Sequence, residues 1–499
     1  MSPPALVGQM HPMGWEQTQP HKHDTTPDVP ADRTAMPWDA SRSDAPPRSP
    51  GEPPRPGGRP VHAEEVDELD ALLRAVYPLI RKYEEDNAYP DDTRVIEHRG
   101  GPELRSALDL SLPPEGSRAA YVRTCEEAIR YSVRTSHPRF MNQLYAGSEP
   151  AGQVAEFLAA VLNSTVHTYG AGPVFTVMER ELIAQVATLV GFDADEADGV
   201  FAPGGSYSNM TALLVARNEL FPHVSRQGWQ EGDRPVVYTS VQAHYSVKKA
   251  VMIAGMGSDN LIEVPTDADG AMDPAWLESH IIASKDNARR PFFVSATAGT
   301  TVLGAIDPLP ALHDICQRHG VWLHVDGAWG GALIMSDTHR HKLSGLEKAD
   351  SFCFNPHKLL GVPLQCSMLL VNKHSGALER ANNTDADYLF HAGAGGGVDL
   401  GQKSLQCGRK PDCLKLFLCW KRFGAKGSAN RLWARCRTRP EATPKAGPRG
   451  TRGSSSLSAA SPRRCTGGCS WMGGCSSTSR PSLTSTCPTS SAPCSSSRA

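Results

Sequence analysis

Residues 291–328 of this chain read PFFVSATAGTTVLGAIDPLPALHDICQRHGVWLHVDGA. Two short runs, PFFVSAT (291–297) and WLHVDGA (322–328), combine apolar, β-branched and aromatic residues, and a helical stretch separates them. Short apolar strands that alternate with helices are typical of βαβ units, in which parallel strands form a sheet that helices cover on both faces. The sequence therefore predicts an α/β fold with a mainly parallel sheet.

The same pattern continues in both directions along the chain. Further strand-like runs are RPVVYTS (234–240), NLIEVP (260–265), DSFCFN (350–355) and CSMLLV (366–371), and apolar residues recur at helical spacing in 66–83, 152–162 and 174–192. In an open α/β sheet, ligands bind beyond the carboxyl ends of the strands. The residues directly after each strand are therefore the candidates for a functional site.

Composition excludes some classes of protein. The chain has 499 residues with 51 Lys+Arg against 53 Asp+Glu, a net charge of −2 at pH 7, so it lacks the basic excess of a nucleic-acid-binding protein. No apolar run approaches the length of about 18 residues that a membrane-spanning helix needs. The N-terminus shows no charged segment that leads into an apolar core, so we expect no secretory signal and a cytoplasmic location.

The two ends of the chain differ from its middle. Residues 1–60 hold 14 of the 40 prolines, which predicts a disordered Pro-rich leader; a plain linker is favoured over an SH3-type ligand. Residues 428–499 contain no Ile, Val, Phe, Tyr or Asp, and we expect a low-complexity Ser/Arg/Cys-rich tail. A shifted reading frame explains this tail better than a genuine extension does. Between the ends we expect an N-terminal helical segment at 61–150 and a large α/β domain at 151–427.

The cysteines indicate no metal site. Six of the 13 lie in the tail and the others are scattered, and neither group shows paired CxxC motifs at zinc spacing. Reduced thiols that pack as small core residues are the expectation for the body of the chain.

Four strand ends carry candidate chemistry. Gly205 and Ser206 open a helix after the run GVF, where free backbone N–H groups and the helix dipole suit a phosphate, although on its own the motif is explained better by a tight turn without a ligand. His244 follows a second strand, and Asp326 ends a third, where a buried acid needs a partner. Lys358 lies between two apolar segments. It is either a nucleophilic amine or a lysine whose charged end reaches solvent.

Taken together, these four groups indicate pyridoxal 5′-phosphate as the cofactor. Its aldehyde needs an amine, its pyridine nitrogen needs a carboxylate, its ring needs a flat neighbour, and its phosphate needs the start of a helix. The order of the groups along the chain fits this requirement.

Longer motifs then identify a family. The stretches are HPRFMNQLYAG (137–147), FAPGGSYSNM (201–210), ATAGTTVLGAIDP (296–308), WLHVDGAWGG (322–331), NPHKLLGV (355–362) and QCGRKPDCLKLFLCW (406–420). With them the chain resembles the group II pyridoxal-phosphate-dependent amino-acid decarboxylases, most of all the branch that acts on glutamate, cysteine sulfinate and aspartate. The resemblance implies a fold-type I PLP-dependent transferase-like fold, loss of the α-carboxylate as CO2, and a homodimer. It also makes 151–427 the large PLP-binding domain.

The resemblance also implies roles for individual residues. The catalytic residues would be Lys358, which binds the cofactor aldehyde, Asp326, which pairs with the ring nitrogen, and His244, which stacks on one ring face. The methyl group of Ala328 would pack on the other face.

The remaining implied contacts concern the phosphate and the substrate. Gly205, Ser206, Asn355 and His357 would hold the phosphate region. Thr301 would lie near the ring oxygen or the substrate carboxylate, and Gln143 would face the substrate side chain.

Two departures from the family leave an alternative open. Family members carry a Tyr in a mobile loop as proton donor to Cα, whereas here Tyr388-Leu389-Phe390 is followed by HAGAGGGVDLGQK without a Tyr. We therefore expect reprotonation to be impaired or taken over by a group such as His244. The family's C-terminal small domain also has no counterpart in the tail as written. The alternative is thus a truncated, catalytically impaired PLP-binding paralogue, or a PLP enzyme of another reaction type.

Overall fold

The computed structural model of the chain describes these residues: 63–89, 91–384, 386, 389, 390 and 399–437. By internal packing the chain divides into two units, Met1–Asp70 and Ala71–Ala499, and all strands of the described residues lie in the second unit. The predicted leader at 1–60, the loop at 391–398 with Tyr388, and residues 438–499, on which the expectation about a small domain depends, lie outside the described residues.

Helices surround the sheet, and their bounds follow the apolar periodicity of the sequence. They are α1 (Ala63–Ala88), α2 (Gly101–Ala107), α3 (Arg118–Tyr131), α4 (Pro150–Leu162), α5 (Pro173–Val190), α6 (Gly205–Leu220), α7 (Val224–Gln227), α8 (Ser246–Ile253), α9 (Pro274–Asp286), α10 (Leu309–His319), α11 (Ala377–Asn382) and α12 (Cys413–Arg437). Proline and glycine mark several ends: α5 begins at Pro173 and is capped by Gly191 in a left-handed conformation, with φ of +92°. Helix α12 is broken at Gly424 and continues to Arg437, so residues 428–437 are helical.

Within the described residues, seven strands form one sheet in the order β1-β7-β6-β5-β4-β2-β3. They are β1 (Asp198–Ala202), β2 (Pro235–Ser240), β3 (Leu261–Val264), β4 (Arg290–Thr297), β5 (Trp322–Gly327), β6 (Ser351–Phe354) and β7 (Ser367–Val371). The strand β7 is antiparallel to both of its neighbours, and the other pairs are parallel. The prediction of a mainly parallel sheet covered by helices is confirmed.

The direction of β7 follows from the segment that precedes it. A parallel return needs a crossover of a dozen or more residues, usually a helix, whereas residues 355–366 join β6 to β7 without one. The chain therefore turns back beside β6. This short return keeps Lys358, which it carries, at the edge of the sheet where the parallel strands end.

Two hydrophobic cores hold the sheet between its helices. One lies against α5, α9, α10 and α12 and includes Val236 and Val294; the other lies against α6, α8 and α11 and includes Val237 and Phe293. Adjacent residues of one strand thus enter opposite cores, as the two-residue period of a strand requires. Each such buried side chain contributes about 1.5–3 kcal/mol. None of the helices in the described ranges is both long and apolar enough to cross a lipid bilayer.

Candidate cofactor-binding site

A cavity of about 210 Å³ opens at the carboxyl ends of the parallel strands. The residues that sequence reasoning assigned to the cofactor all line it: Gly205, Ser206, His244, Thr301, Asp326, Ala328, Asn355, His357 and Lys358. Asn209, Tyr245, Thr297, Gly299 and Trp329 also line it, and the sequence did not single these out. The predicted substrate contact Gln143 is exposed and is not among the lining residues, so its role stays a prediction.

The first turn of α6 forms one wall of the cavity. Gly204 at the N-cap position has a φ of +143° and provides no side chain to cap the helix. In the amide orientation that gives both ends of Asn355 a partner, its Oδ1 accepts from the Gly205 N–H at 3.3 Å. A Cβ at Gly205 would lie 3.1 Å from the Ala328 Cβ, so glycine keeps this wall open. The uncapped helix start suits a phosphate group.

Asp326 lies at the end of β5 and is only 6% exposed. Its Oδ2 accepts a hydrogen bond from Asn209 Nδ2 at 2.7 Å, and its Oδ1 accepts from the Ala328 N–H at 3.0 Å. A buried carboxylate needs such donors, because it has lost its hydration. The two bonds fix the plane of the carboxylate, and the accepting capacity that remains is available to a ligand.

His244 also lines the cavity and has a defined protonation state. Its Nδ1 accepts from the Ser246 N–H at 3.2 Å and is 2.9 Å from Ser246 Oγ. Burial is the main cause that lowers the pKa of His244; Asp326 opposes this shift and Lys358 adds to it. The ring is therefore neutral at pH 7, with its proton on Nε2.

The return between β6 and β7 supplies His357 and Lys358. His357 is buried, and its Nδ1 contacts the backbone N–H and carbonyl of Cys366 at 3.0 and 2.6 Å. Burial lowers the pKa of His357 to about 4, so it is neutral at pH 7. Lys358 is half-buried, and its Nζ makes no hydrogen bond with any described residue. Its amine is thus available to a ligand in the cavity.

Thr297 gives an independent indication that a ligand belongs here. It ends β4, is 4% exposed, and its Oγ1 has no hydrogen-bond partner among the described residues. A buried hydroxyl without a partner is unfavourable by about 1–3 kcal/mol unless a ligand completes it. An amine, a buried carboxylate, an uncapped helix start and an unpaired hydroxyl together fit pyridoxal phosphate.

Two of the lining residues could have been found in the sequence. Thr297 is the last residue of the predicted strand PFFVSAT, and Asn209 follows Ser206 by three residues, on the same face of a helix. Position alone indicated both. The sequence did not show that helix α6 lies beside β5, which supplies the hydrogen-bond partners of Asn209.

Fold and site together define a pyridoxal-phosphate-dependent enzyme of fold type I. The family model for the pyridoxal-dependent decarboxylase conserved domain matches residues 102–440. The chain therefore belongs to the pyridoxal-dependent decarboxylase family; it uses pyridoxal phosphate and is a carboxy-lyase. The resemblance found in the sequence is confirmed.

Individual members of this family and their solved structures are similar to the chain over most of its length. Human cysteine sulfinic acid decarboxylase is 43% identical over 367 residues, which cover 73% of this chain and 74% of the relative. The acidic amino acid decarboxylase GADL1 of Bos taurus is 43% identical over 342 residues, 68% of this chain and 65% of the relative. A crystal structure of mouse CSAD in apo form is 42% identical, with a TM-score of 0.70 over 73% of this chain and 76% of that one.

Proposed function

We propose that the chain removes the α-carboxylate of a small acidic amino acid, namely cysteine sulfinate, glutamate or aspartate, and releases the amine and CO2. The observation that carries this proposal is the meeting of Lys358, Asp326 and the α6 start in one cavity. Support for the substrate class comes from the names of the relatives, cysteine sulfinic acid decarboxylase and acidic amino acid decarboxylase.

The residues of the cavity have separate chemical roles. When bound, pyridoxal phosphate supplies an aldehyde that combines with amines and a ring that accepts the electron pair left by departing CO2. Asp326, held by Asn209 and the Ala328 N–H, keeps a proton at the ring nitrogen. Lys358 Nζ would hold the cofactor through its aldehyde. The α6 start and Thr297 Oγ1 would bind polar groups of the cofactor and so fix its orientation.

His244 is our candidate for the group that returns a proton to Cα. Because its Nδ1 accepts from Ser246, the proton of the neutral ring is on Nε2, where it can be donated. If His244 is a less effective proton donor than the loop Tyr that family members carry, pyridoxamine phosphate should accumulate during turnover. Stoichiometric amine over many turnovers without pyridoxamine phosphate would contradict this part of the proposal.

The outer face of α4 supports a homodimer. Apolar residues at helical spacing are all 40–64% exposed there: Val154, Phe157, Leu158, Val161 and Leu162. The opposite face of the same helix is buried against α12. A contiguous apolar stripe on the surface marks a protein interface, and we propose that a second copy of this chain covers it.

The dimer can be tested by sedimentation velocity. The double variant Phe157→Glu/Val161→Glu should sediment as a monomer, because two charges cannot be buried in an apolar contact. The control Ile282→Glu, on the exposed face of α9, should remain dimeric. A monomeric unaltered chain would overturn the proposal.

We also propose that the protein works in the cytoplasm. The cysteines that the structure describes are all free thiols, which is typical of a reducing compartment. A fluorescent fusion that enters a secretory or organellar compartment would contradict this assignment.

The activity is tested by CO2 release from the full-length chain with added pyridoxal phosphate. We expect release from at least one of cysteine sulfinate, glutamate and aspartate, and background release from tryptophan. The Lys358→Ala variant gives the baseline. Release from tryptophan alone, or none above the Lys358→Ala baseline with any of the four, would contradict the proposed function.

A further inference from the structure

A chain of hydrogen bonds runs beneath the cavity from Trp322 to Asp326. Trp322 Nε1 donates to Ser351 Oγ at 2.8 Å, and Ser351 Oγ lies 2.9 Å from His324 Nδ1. His324 Nε2 lies 3.0 Å from Asn209 Oδ1, and Asn209 Nδ2 donates to Asp326 at 2.7 Å. The chain links β5, β6 and α6, and each of its members is at most 6% exposed.

The direction of every bond in this chain follows from its two ends. An indole N–H can only donate, so Ser351 Oγ accepts a hydrogen bond from Trp322. The Ser351 hydroxyl then donates its own hydrogen bond to His324 Nδ1. The proton of the neutral imidazole is then on Nε2, which donates to Asn209 Oδ1. The amide nitrogen of Asn209 must therefore face Asp326, whose carboxylate can only accept.

Asn209 has a second bond that reaches His244. Its Nδ2 also donates to Ser246 Oγ at 3.0 Å, which directs the Ser246 hydroxyl proton to His244 Nδ1. One amide group thus holds Asp326 directly and His244 through Ser246 Oγ.

His324 is suited to hold this amide without adding charge. It is fully buried, and burial lowers its pKa to about 4, so it is neutral at pH 7. Its ring stacks against Phe293 with centroids 5.7 Å apart and an interplanar angle of 23°. This contact fixes the ring plane, and with it the position of Nε2.

We propose that Asn209 and His324 are positioning residues for the reaction: His324 sets the direction of the Asn209 amide, and Asn209 orients Asp326 and His244 toward the cofactor. This inference rests on the proposed function, because it assigns the two residues to the same cofactor site. Without the His324 N–H, the amide can rotate and turn its oxygen toward the Asp326 carboxylate, where the two acceptors repel each other.

The test compares variants of similar volume in the full-length chain. Asn209→Leu removes both links, His324→Leu removes only the N–H that sets the amide, and His324→Gln restores an N–H donor toward Asn209. The matched control is Ser295→Ala. Ser295 pairs with His324 across β4 and β5 and is fully buried, and its hydroxyl has no partner among the described residues.

The first readout is the dissociation constant for pyridoxal phosphate, with the absorption spectrum of the bound cofactor. A hydrogen bond to a charged group corresponds to about 10- to 100-fold in affinity, so we expect Asn209→Leu to weaken binding by that factor and to change the spectrum. His324→Leu should weaken binding less, His324→Gln should recover most of the loss, and Ser295→Ala should bind within about twofold of the unaltered chain.

The second readout is independent of the cofactor. In the apoprotein, nitrogen-15 chemical shifts should show His324 with its proton on Nε2, and Asn209→Leu should keep that preference, because Ser351 Oγ still donates to Nδ1. The inference is overturned if the unaltered chain binds the cofactor and Asn209→Leu binds it equally well, or if His324→Leu and His324→Gln are equally impaired. An unaltered chain that binds no pyridoxal phosphate would instead overturn the proposed function, and this inference with it.

Discussion

Two buried polar clusters in this molecule differ in where their hydrogen bonds end. In the first, Arg409 pairs with Glu179 at 2.5 Å and donates to the carbonyls of Val166 and Phe201, while Glu179 accepts from the Phe201 N–H. These bonds end on the carboxylate or on the backbone of distant segments, and of the Arg409 guanidinium nitrogens Nε alone has no partner among the described residues. In the second cluster, around Asp326, the bonds converge on the wall of a cavity, and Thr297 Oγ1 and Lys358 Nζ have no hydrogen-bond partner among the described residues.

The difference separates polar groups that hold the fold from polar groups that await a ligand. The closed cluster, formed by Arg409 and Glu179, ties α5, β1 and the segment before α12 together. Breaking it leaves a buried charge without a partner. The open cluster, formed by Asp326, Thr297 and Lys358 at the cavity, leaves polar groups without hydrogen-bond partners in the apoprotein. A ligand that pairs with these groups stabilises the folded state. Substitutions in the two clusters should therefore have different consequences.

The largest expected effect on activity is that of Lys358→Ala in the open cluster. Removal of the amine that holds the cofactor should reduce CO2 release to background. The free energy of unfolding of the apoprotein should change by less than about 0.5 kcal/mol, because Lys358 Nζ has no partner to lose among the described residues. The control Lys285→Ala, on the exposed end of α9, should leave both quantities unchanged. A Lys358→Ala apoprotein that unfolds far more easily would place this lysine among the structural groups.

The largest expected effect on stability is that of Arg409→Met in the closed cluster. It leaves the Glu179 carboxylate buried without its cation and should lower the free energy of unfolding by about 3–5 kcal/mol, measured by urea denaturation of the apoprotein. The surface pair Arg380–Glu219 offers the matched control. Arg380→Met should lower stability by at most about 1 kcal/mol. Equal effects of the two substitutions would show that burial of the first pair has no energetic consequence.

Acid should destabilise the apoprotein through its buried histidines. The pKa values of His324 and His357 are lowered to about 4 in the folded chain, against about 6.5 when unfolded. The unfolded state therefore binds more protons in this window, so the stability is present above about pH 6.5 and is lost as the pH falls toward 4. For each histidine the loss between about pH 7 and pH 5 is about 2 kcal/mol.

The variant His324→Gln isolates this contribution. Urea denaturation at both pH values should give a pH-dependent loss that is smaller in His324→Gln than in the unaltered chain by about 2 kcal/mol. Identical losses in the two chains would show that His324 has the same pKa folded and unfolded.

The smallest expected effect is that of Thr297→Val, which keeps the shape of the side chain and removes its hydroxyl. Affinity for pyridoxal phosphate should fall by about 2- to 10-fold, as for the loss of one neutral hydrogen bond. The apoprotein should be as stable as the unaltered chain or slightly more stable, because the hydroxyl is unpaired there. Lower apoprotein stability with unchanged affinity would mean that Thr297 belongs with the structural groups.

Much of the fold could be predicted because it depends on local patterns. The runs 234–240, 322–328 and 366–371 became β2, β5 and β7 to within about two residues, and the helical spacing at 174–192 became α5. The direction of β7 depends on the absence of a helix from the return that carries Lys358, and the strand pattern does not contain this information. Cofactor residues could be named because strand ends meet at one edge of a parallel sheet.

The hydrogen-bond partners of Asn209 could not be found in this way. Asn209, His324 and Ser351 are far apart in the sequence and meet only because α6, β5 and β6 adjoin. In the sequence His324 is one residue of the apolar strand WLHVDGA, and nothing local distinguishes it from a core residue. Long-range hydrogen bonds, unlike periodicity, leave no local pattern.

The central claim is that the open cluster binds pyridoxal phosphate through Lys358, and one measurement tests it directly. The full-length chain is incubated with pyridoxal phosphate, reduced with borohydride, digested, and analysed by mass spectrometry. We expect the phosphopyridoxyl group on the peptide that contains Lys358, and on no other peptide in stoichiometric amount. The group on a different lysine, such as the buried Lys415, or its absence from every peptide would contradict the claim.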